Sequence, residues 1–254
     1  MPDIIVPAFQ KAIELIISGD PEVYATVYRT IYVAGLGTLL ACVWSIPIAV
    51  VLGLYNFRGK WFIKGVFNAL IGIPTVALGL LMYLLLSRQG ELGAFHLLYT
   101  LNGMAISQAI LVTPIIVSFT ANALGTADTQ LRDLAKTLGA SALRTNLTLI
   151  RETIWSMVLS VTAAFNRGFG ELGIATIVGG SLVGSGTLFS GTRVLTTAIA
   201  IEINFGAFDV AMAYAIILMA IVIALALIIS LVERVRSSEG ELRKLILWKG
   251  LTGG

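Results

Sequence analysis

Residues 131–150 read LRDLAKTLGASALRTNLTLI, and they interrupt a chain that is apolar for long stretches on both sides. Asp128 can cap a helix whose apolar positions Leu131, Leu134, Ala135 and Leu138 form one stripe. Gly139 permits a turn that a residue with a side chain resists, and Ser141 can cap a second short helix through Leu143. The spacing predicts two short helices at an angle, with Arg132, Lys136 and Arg144 turned away from the stripe into water. A plain solvated loop accounts for the charge but leaves the caps, stripe and glycine as coincidence.

Outward from this segment, the 254 residues are 57% hydrophobic and 12% charged, against about 25% charged in an ordinary soluble domain. A helix needs about 20 mostly apolar residues to cross a hydrocarbon core. Five runs meet that length, at 31–55, 62–86, 103–124, 153–176 and 210–232; Asn166, Arg167 and Glu171 interrupt the fourth, and the fifth carries no charge. The expectation is an all-α integral membrane protein with five transmembrane helices. It divides into residues 1–22, a membrane domain at 23–233 and a tail at 234–254. Cys42 and His96 are each single in the chain, so no disulfide framework or multi-histidine metal site can be built. The N-terminus lacks the basic stretch and cleavage site of a signal peptide, so the spans themselves are expected to direct insertion.

With the N-terminus placed outside, twelve of the 17 cations fall on inner segments: Arg58, Lys60 and Lys64, then Arg132, Lys136, Arg144 and Arg151, then five in the tail. Lys11, Arg29, Arg88, Arg167 and Arg193 remain outside. This asymmetry predicts a cytoplasmic C-terminus and a cytoplasmic 131–150 segment. Residues 4–17, IIVPAFQKAIELII, are too short to cross at about 1.5 Å per residue, and read as an amphipathic helix lying in the outer interface. A sixth, tilted span is the alternative. Gly19-Asp20-Pro21 stops this helix.

Pro47, Pro74 and Pro114 each fall inside a predicted span, where a proline removes a helix hydrogen bond and favours a bend. They serve either a mobile pathway or static packing. The 26 glycines suit close helix approach in lipid, and GGSLVGSGTLFSGTRV before the last span reads as a flexible outer loop. TTAIAIEI after it reads as a short helix. Arg167 and Glu171, four apart, share a helix face and can neutralise one another. Ionisable groups at membrane depth point to a pathway or gate, with a purely structural pair as the other reading.

The 131–150 segment resembles the EAA loop of type I ABC importer permeases: Glu-Ala-Ala, three residues, glycine, nine residues, then Ile-x-Leu-Pro. Asp133 stands at the acidic position, Leu134 and Ala135 at the alanines, Gly139 at the glycine and Leu149 at the isoleucine, while Arg151 and Glu152 replace the final Leu-Pro. Within that superfamily the likeness is to tungstate importer permeases, near relatives of molybdate permeases. It is carried by IPTVALGLLMYLLLSRQGELG at 73–93, VGG at 178–180 and TRVLTTAIAIE at 192–202. The resemblance implies a homodimeric permease of a prokaryotic inner membrane. Cytoplasmic ABC ATPase subunits would grip a coupling-helix loop comprising Asp133, Leu134, Ala135, Lys136, Leu138, Gly139, Ala140 and Leu143. An extracytoplasmic substrate-binding protein would choose the oxyanion, with molybdate or another oxyanion as the alternative cargo.

The chain itself is not expected to be an enzyme or to hold a cofactor; ATP and magnesium belong to the partner ATPase. Its one Gly-Lys pair, Gly59-Lys60, runs into Trp61 and lacks the earlier glycine of a phosphate-binding loop. Nucleic-acid binding is not indicated, because the surplus of cations is accounted for by the inner loops. Two rivals from other classes are an ion-coupled secondary transporter, which needs coordinating groups near the midplane, and a membrane scaffold, which needs no pathway.

Overall fold

The computed structural model describes residues 5–126, 137, 139–184 and 190–227. Asp128, Asp133, Leu134, Ala135, Lys136, Leu138 and the 234–254 tail therefore lie outside the described residues. The elements are α1 (Ile5–Ile17), α2 (Pro21–Leu54), α3 (Lys60–Leu70), α4 (Thr75–Leu86), a 3₁₀ turn (Gly93–Phe95) and α5 (Leu101–Thr126), followed by α6 (Ala142–Phe169), α7 (Gly173–Gly179) and α8 (Leu195–Asn204). The last is α9 (Phe208–Leu227). Four of these helices are long and apolar enough to cross a membrane, and α3 with α4, bent by 97°, passes the same test only as a pair, forming a broken span or a re-entrant loop.

Three of the expected spans start within two residues of their apolar runs, and caps move the starts of the other two. The first begins ten residues before position 31: Asp20 accepts the backbone N–H groups of Glu22 and Val23, each at 3.0 Å, and Pro21 fills the first turn. The resulting α2 is 34 residues long, about 51 Å of helix. The fourth begins at Ala142 rather than near 153, because the Ser141 side chain accepts the Arg144 N–H. There is accordingly no separate short helix ending at Leu143; that residue lies in the first turn of α6, which runs for 28 residues. The fourth run does not reach 176 as one helix either, since α6 stops at Phe169 and α7 starts at Gly173.

The centre of the fold is the pairing of α2 with α5. Gly37, Ala41, Ser45, Ala49 and Gly53 recur every fourth residue on α2 and are all buried, the arrangement by which small side chains let membrane helices approach closely. A Cβ on Gly53 would lie 2.5 Å from that of Leu124, and one on Gly37 would lie 2.9 Å from the Ala105 carbonyl oxygen. Trp44 Nε1 donates to Thr113 Oγ1 at 2.8 Å between them. The two helices thus run the same way, while α6 returns: Leu149 packs with Leu54 and Leu124, and Ala164 with Ala41 and Ala109. We call the side where α2 and α5 finish and α6 begins the elbow end, and the opposite side the far end.

Of the three span prolines, only one breaks its helix. Pro47 and Pro114 lie inside uninterrupted α2 and α5, whereas Pro74 precedes α4 after the non-helical Gly72 and Ile73, and α3 and α4 meet at 97°. A proline disfavours helical backbone at the residue before it, so no helix runs through Ile73 to join α3 with α4. The glycine-rich connection after α7 is tied at its neck: Leu182 O accepts from Thr192 N (2.9 Å) and Arg193 N (3.2 Å), and Leu182 N donates to Thr192 Oγ1 (3.0 Å).

Candidate functional site: an elbow and a mid-span break joined by one helix

At the elbow end, Gly139 has φ +76, a left-handed conformation that suits glycine, and a side chain there would meet nothing within 4 Å. Ala140 is half-buried and Leu143 is exposed over 69% of its surface. Two turns later the same helix is anchored, with Leu149 fully buried against Leu54 and Leu124, and Asn146 Nδ2 donating to the Tyr55 hydroxyl at 3.4 Å. The glycine and isoleucine positions of the sequence pattern therefore mark the turn and the anchor of α6.

Arg167 and Glu171 meet at the other end of α6, but on different terms from those expected. Their side chains pair at 2.9 Å, yet Glu171 lies beyond the helix, in the break between α6 and α7. A break inside a membrane frees backbone carbonyls that must find donors. Gln108 Nε2 of α5 donates to Gly168 O, and Thr196 Oγ1 of α8 donates to Glu171 O at 2.8 Å. The Glu171 carboxylate accepts the Ile174 N–H at 3.2 Å and so caps α7. Gly173 packs the start of α4 against this break: a Cβ there would stand 2.8 Å from Thr75 Oγ1 and 3.1 Å from Val76 N. Thr30, Gln108, Gly168 and Glu171 line a cavity of about 10 Å³, room for about one water. Gln108 Oε1 and Asn166 Oδ1 are buried without a partner.

Arg29 and Arg193, counted among the outer cations, are both buried in helix contacts at the far end. Arg29 pairs with Glu22 at 3.1 Å, two turns earlier on α2, and Arg193 pairs with Glu202 of α8 while its guanidinium stands 5.9 Å from the Tyr214 ring centre. Thr30 Oγ1 accepts the Leu195 N–H at 2.9 Å beside them. The seven-residue spacing of Glu22 and Arg29 behind an Asp-Pro helix start was the available signal. Among the described residues no group of histidine, cysteine, aspartate and glutamate could hold a metal ion.

Several apolar helices, a capped elbow at one end and two helix breaks packed together part-way along the bundle suit a membrane component of a transport system. The chain belongs to the binding-protein-dependent transport system inner membrane components, a family that matches residues 45–235. It is therefore a multi-pass inner-membrane permease component of an ABC transporter, a system that includes ATPase and binding-protein partners. It is 36% identical over 230 residues to the tungstate uptake system permease protein of Peptoclostridium acidaminophilum, covering 90% of this chain and 98% of that one. The corresponding protein of Campylobacter jejuni is 32% identical over 91% of this chain and 95% of its own. A probable anion ABC transporter permease protein of Haloferax volcanii is 36% identical over 76% of this chain and 83% of its own.

Proposed function

We propose that this chain forms the membrane path by which an ABC importer carries tungstate into the cytoplasm. The cargo is supported by the two tungstate permeases that align with nearly the whole chain. In this reading two copies line the path, and two cytoplasmic ATPase subunits, holding ATP and magnesium, grip the segment around Asp133, Leu134, Ala135, Lys136, Leu138, Gly139, Ala140 and Leu143. The elbow end and the C-terminal tail face the cytoplasm in this reading, which the cation asymmetry favours. The binding protein docks at the far end, and α1, amphipathic and 13 residues long, lies in the outer interface. Arg167 and Glu171 belong to the path or its gate.

The observation that carries the mechanism is the continuity of α6. One uninterrupted helix of 28 residues, about 42 Å, joins the Gly139 elbow to the Glu171 break. Its first turn projects the exposed Leu143, and its last delivers Arg167. A displacement imposed at the elbow by ATP-driven closure is thereby delivered to the break, where a two-state rearrangement changes access. The test is uptake by proteoliposomes holding this chain, its ATPase and its binding protein. Tungstate accumulation that needs ATP and all three proteins is expected. Accumulation driven by a proton gradient without the ATPase would assign the chain to ion-coupled transport, and preferred accumulation of molybdate would reassign the cargo.

A further inference from the structure

The geometry points to the Glu171 carboxylate as a resident stand-in for the cargo oxyanion, with Arg167 as the cation that exchanges one for the other. This rests on the reading above that the cargo is an oxyanion, and it assigns the regulation of the same site.

The two partners of the ion pair are unequally placed. The Arg167 side chain is 40% exposed and that of Glu171 is 4% exposed. Glu171 is also held independently of Arg167, since its carboxylate accepts the Ile174 N–H and its backbone oxygen accepts from Thr196. The carboxylate is therefore fixed and the guanidinium can turn away. The donors that surround Glu171, a guanidinium at 2.9 Å and a backbone N–H at 3.2 Å, are the groups that recognise any oxyanion.

The depth of the pair supplies the second argument. Gly168, next to Arg167, is level with Gln108, seven residues into α5 and about 10 Å from its far end. An exposed guanidinium at that depth faces water or protein rather than hydrocarbon. Arg29 and Arg193, the other arginines of the far end with described contacts, are both buried in pairs with glutamates. A tetrahedral dianion that reaches this break thus meets a part-exposed cation already neutralised by a fixed monoanion. Neutralisation keeps the site weak, so that cargo is accepted in passing and released, as conduction through a path demands.

The test is equilibrium dialysis of the purified permease–ATPase complex, without binding protein, against tungstate, molybdate, sulfate and phosphate, with bound anion measured by elemental analysis. Glu171→Gln is expected to bind at least one oxyanion about tenfold more tightly than wild type, a change of the size that desolvated charge pairs command. Adding Arg167→Gln to that variant is expected to abolish the gain. Glu171→Asp, which keeps the charge but draws it back from Arg167, is expected to gain a smaller part and serves where the amide variant does not assemble. No gain for any of the four anions, or a gain that survives loss of Arg167, would overturn the proposal. ATP-driven uptake by wild type is measured alongside. Failure there with an intact gain in binding would remove the cargo assignment and leave the exchange standing.

Discussion

Gly139 and Gly173 are both glycines for reasons that physical chemistry separates. At Gly139 the space is open and the backbone is the constraint, with φ +76, whereas Gly173 has no such φ and lacks room, with Thr75 and Val76 within 3.1 Å of any Cβ. Gly139 is accordingly the cleaner probe. Valine there is expected to cost about 1–2 kcal/mol of backbone strain and to uncouple ATP hydrolysis from uptake, lowering transport per ATP about tenfold without loss of membrane insertion. Asparagine, which tolerates the left-handed region, is expected to retain most of the coupling. Parallel measurement of uptake and ATPase rate in proteoliposomes checks this, and equal behaviour of the two variants would contradict it. The first glycine was legible because it stood between a helix stripe and a capping serine. The second was not, because its neighbours Thr75 and Val76 lie about 100 residues away in sequence.

The elements show what hydropathy can and cannot locate. Apolar runs marked where the chain crosses, because burial in lipid demands them. They misplaced the starts of α2 and α6 by about ten residues, because there Asp20 and Ser141 cap the helix and satisfy free N–H groups. The Arg167–Glu171 pair was legible from its spacing, but the end of α6 between them was not, since Gly168 and Gly170 mark a break only once Gln108 and Thr196 supply donors from other helices. The prolines divide in the same way. Pro47→Ala and Pro114→Ala restore a hydrogen bond within continuous helices and are expected to change tungstate uptake less than about twofold. Pro74→Ala removes the constraint that keeps helix from running through Ile73 and is expected to lower uptake at least about fivefold. Side-by-side uptake rates decide; similar losses at all three positions would show that the bend between α3 and α4 has no part in transport.

At the scale of the whole molecule, the proposed function rests on one continuous helix placed between the elbow and the break. The small-residue seam of α2 and α5 makes a tightly packed frame. α6 lies against that frame, bound near the elbow through Leu149 and at the break through Gly168, and the far-end pairs Glu22–Arg29 and Arg193–Glu202 sit in α2 and α8 on the side where a binding protein would dock. In the proposed function, force enters from the ATPase partner at the exposed first turn of α6. The most direct test is a photo-reactive residue at Leu143 in the assembled transporter. The account predicts a covalent adduct with the ATPase subunit whose yield changes when ATP is bound. Adducts formed only with lipid, or with the extracytoplasmic binding protein, would contradict it.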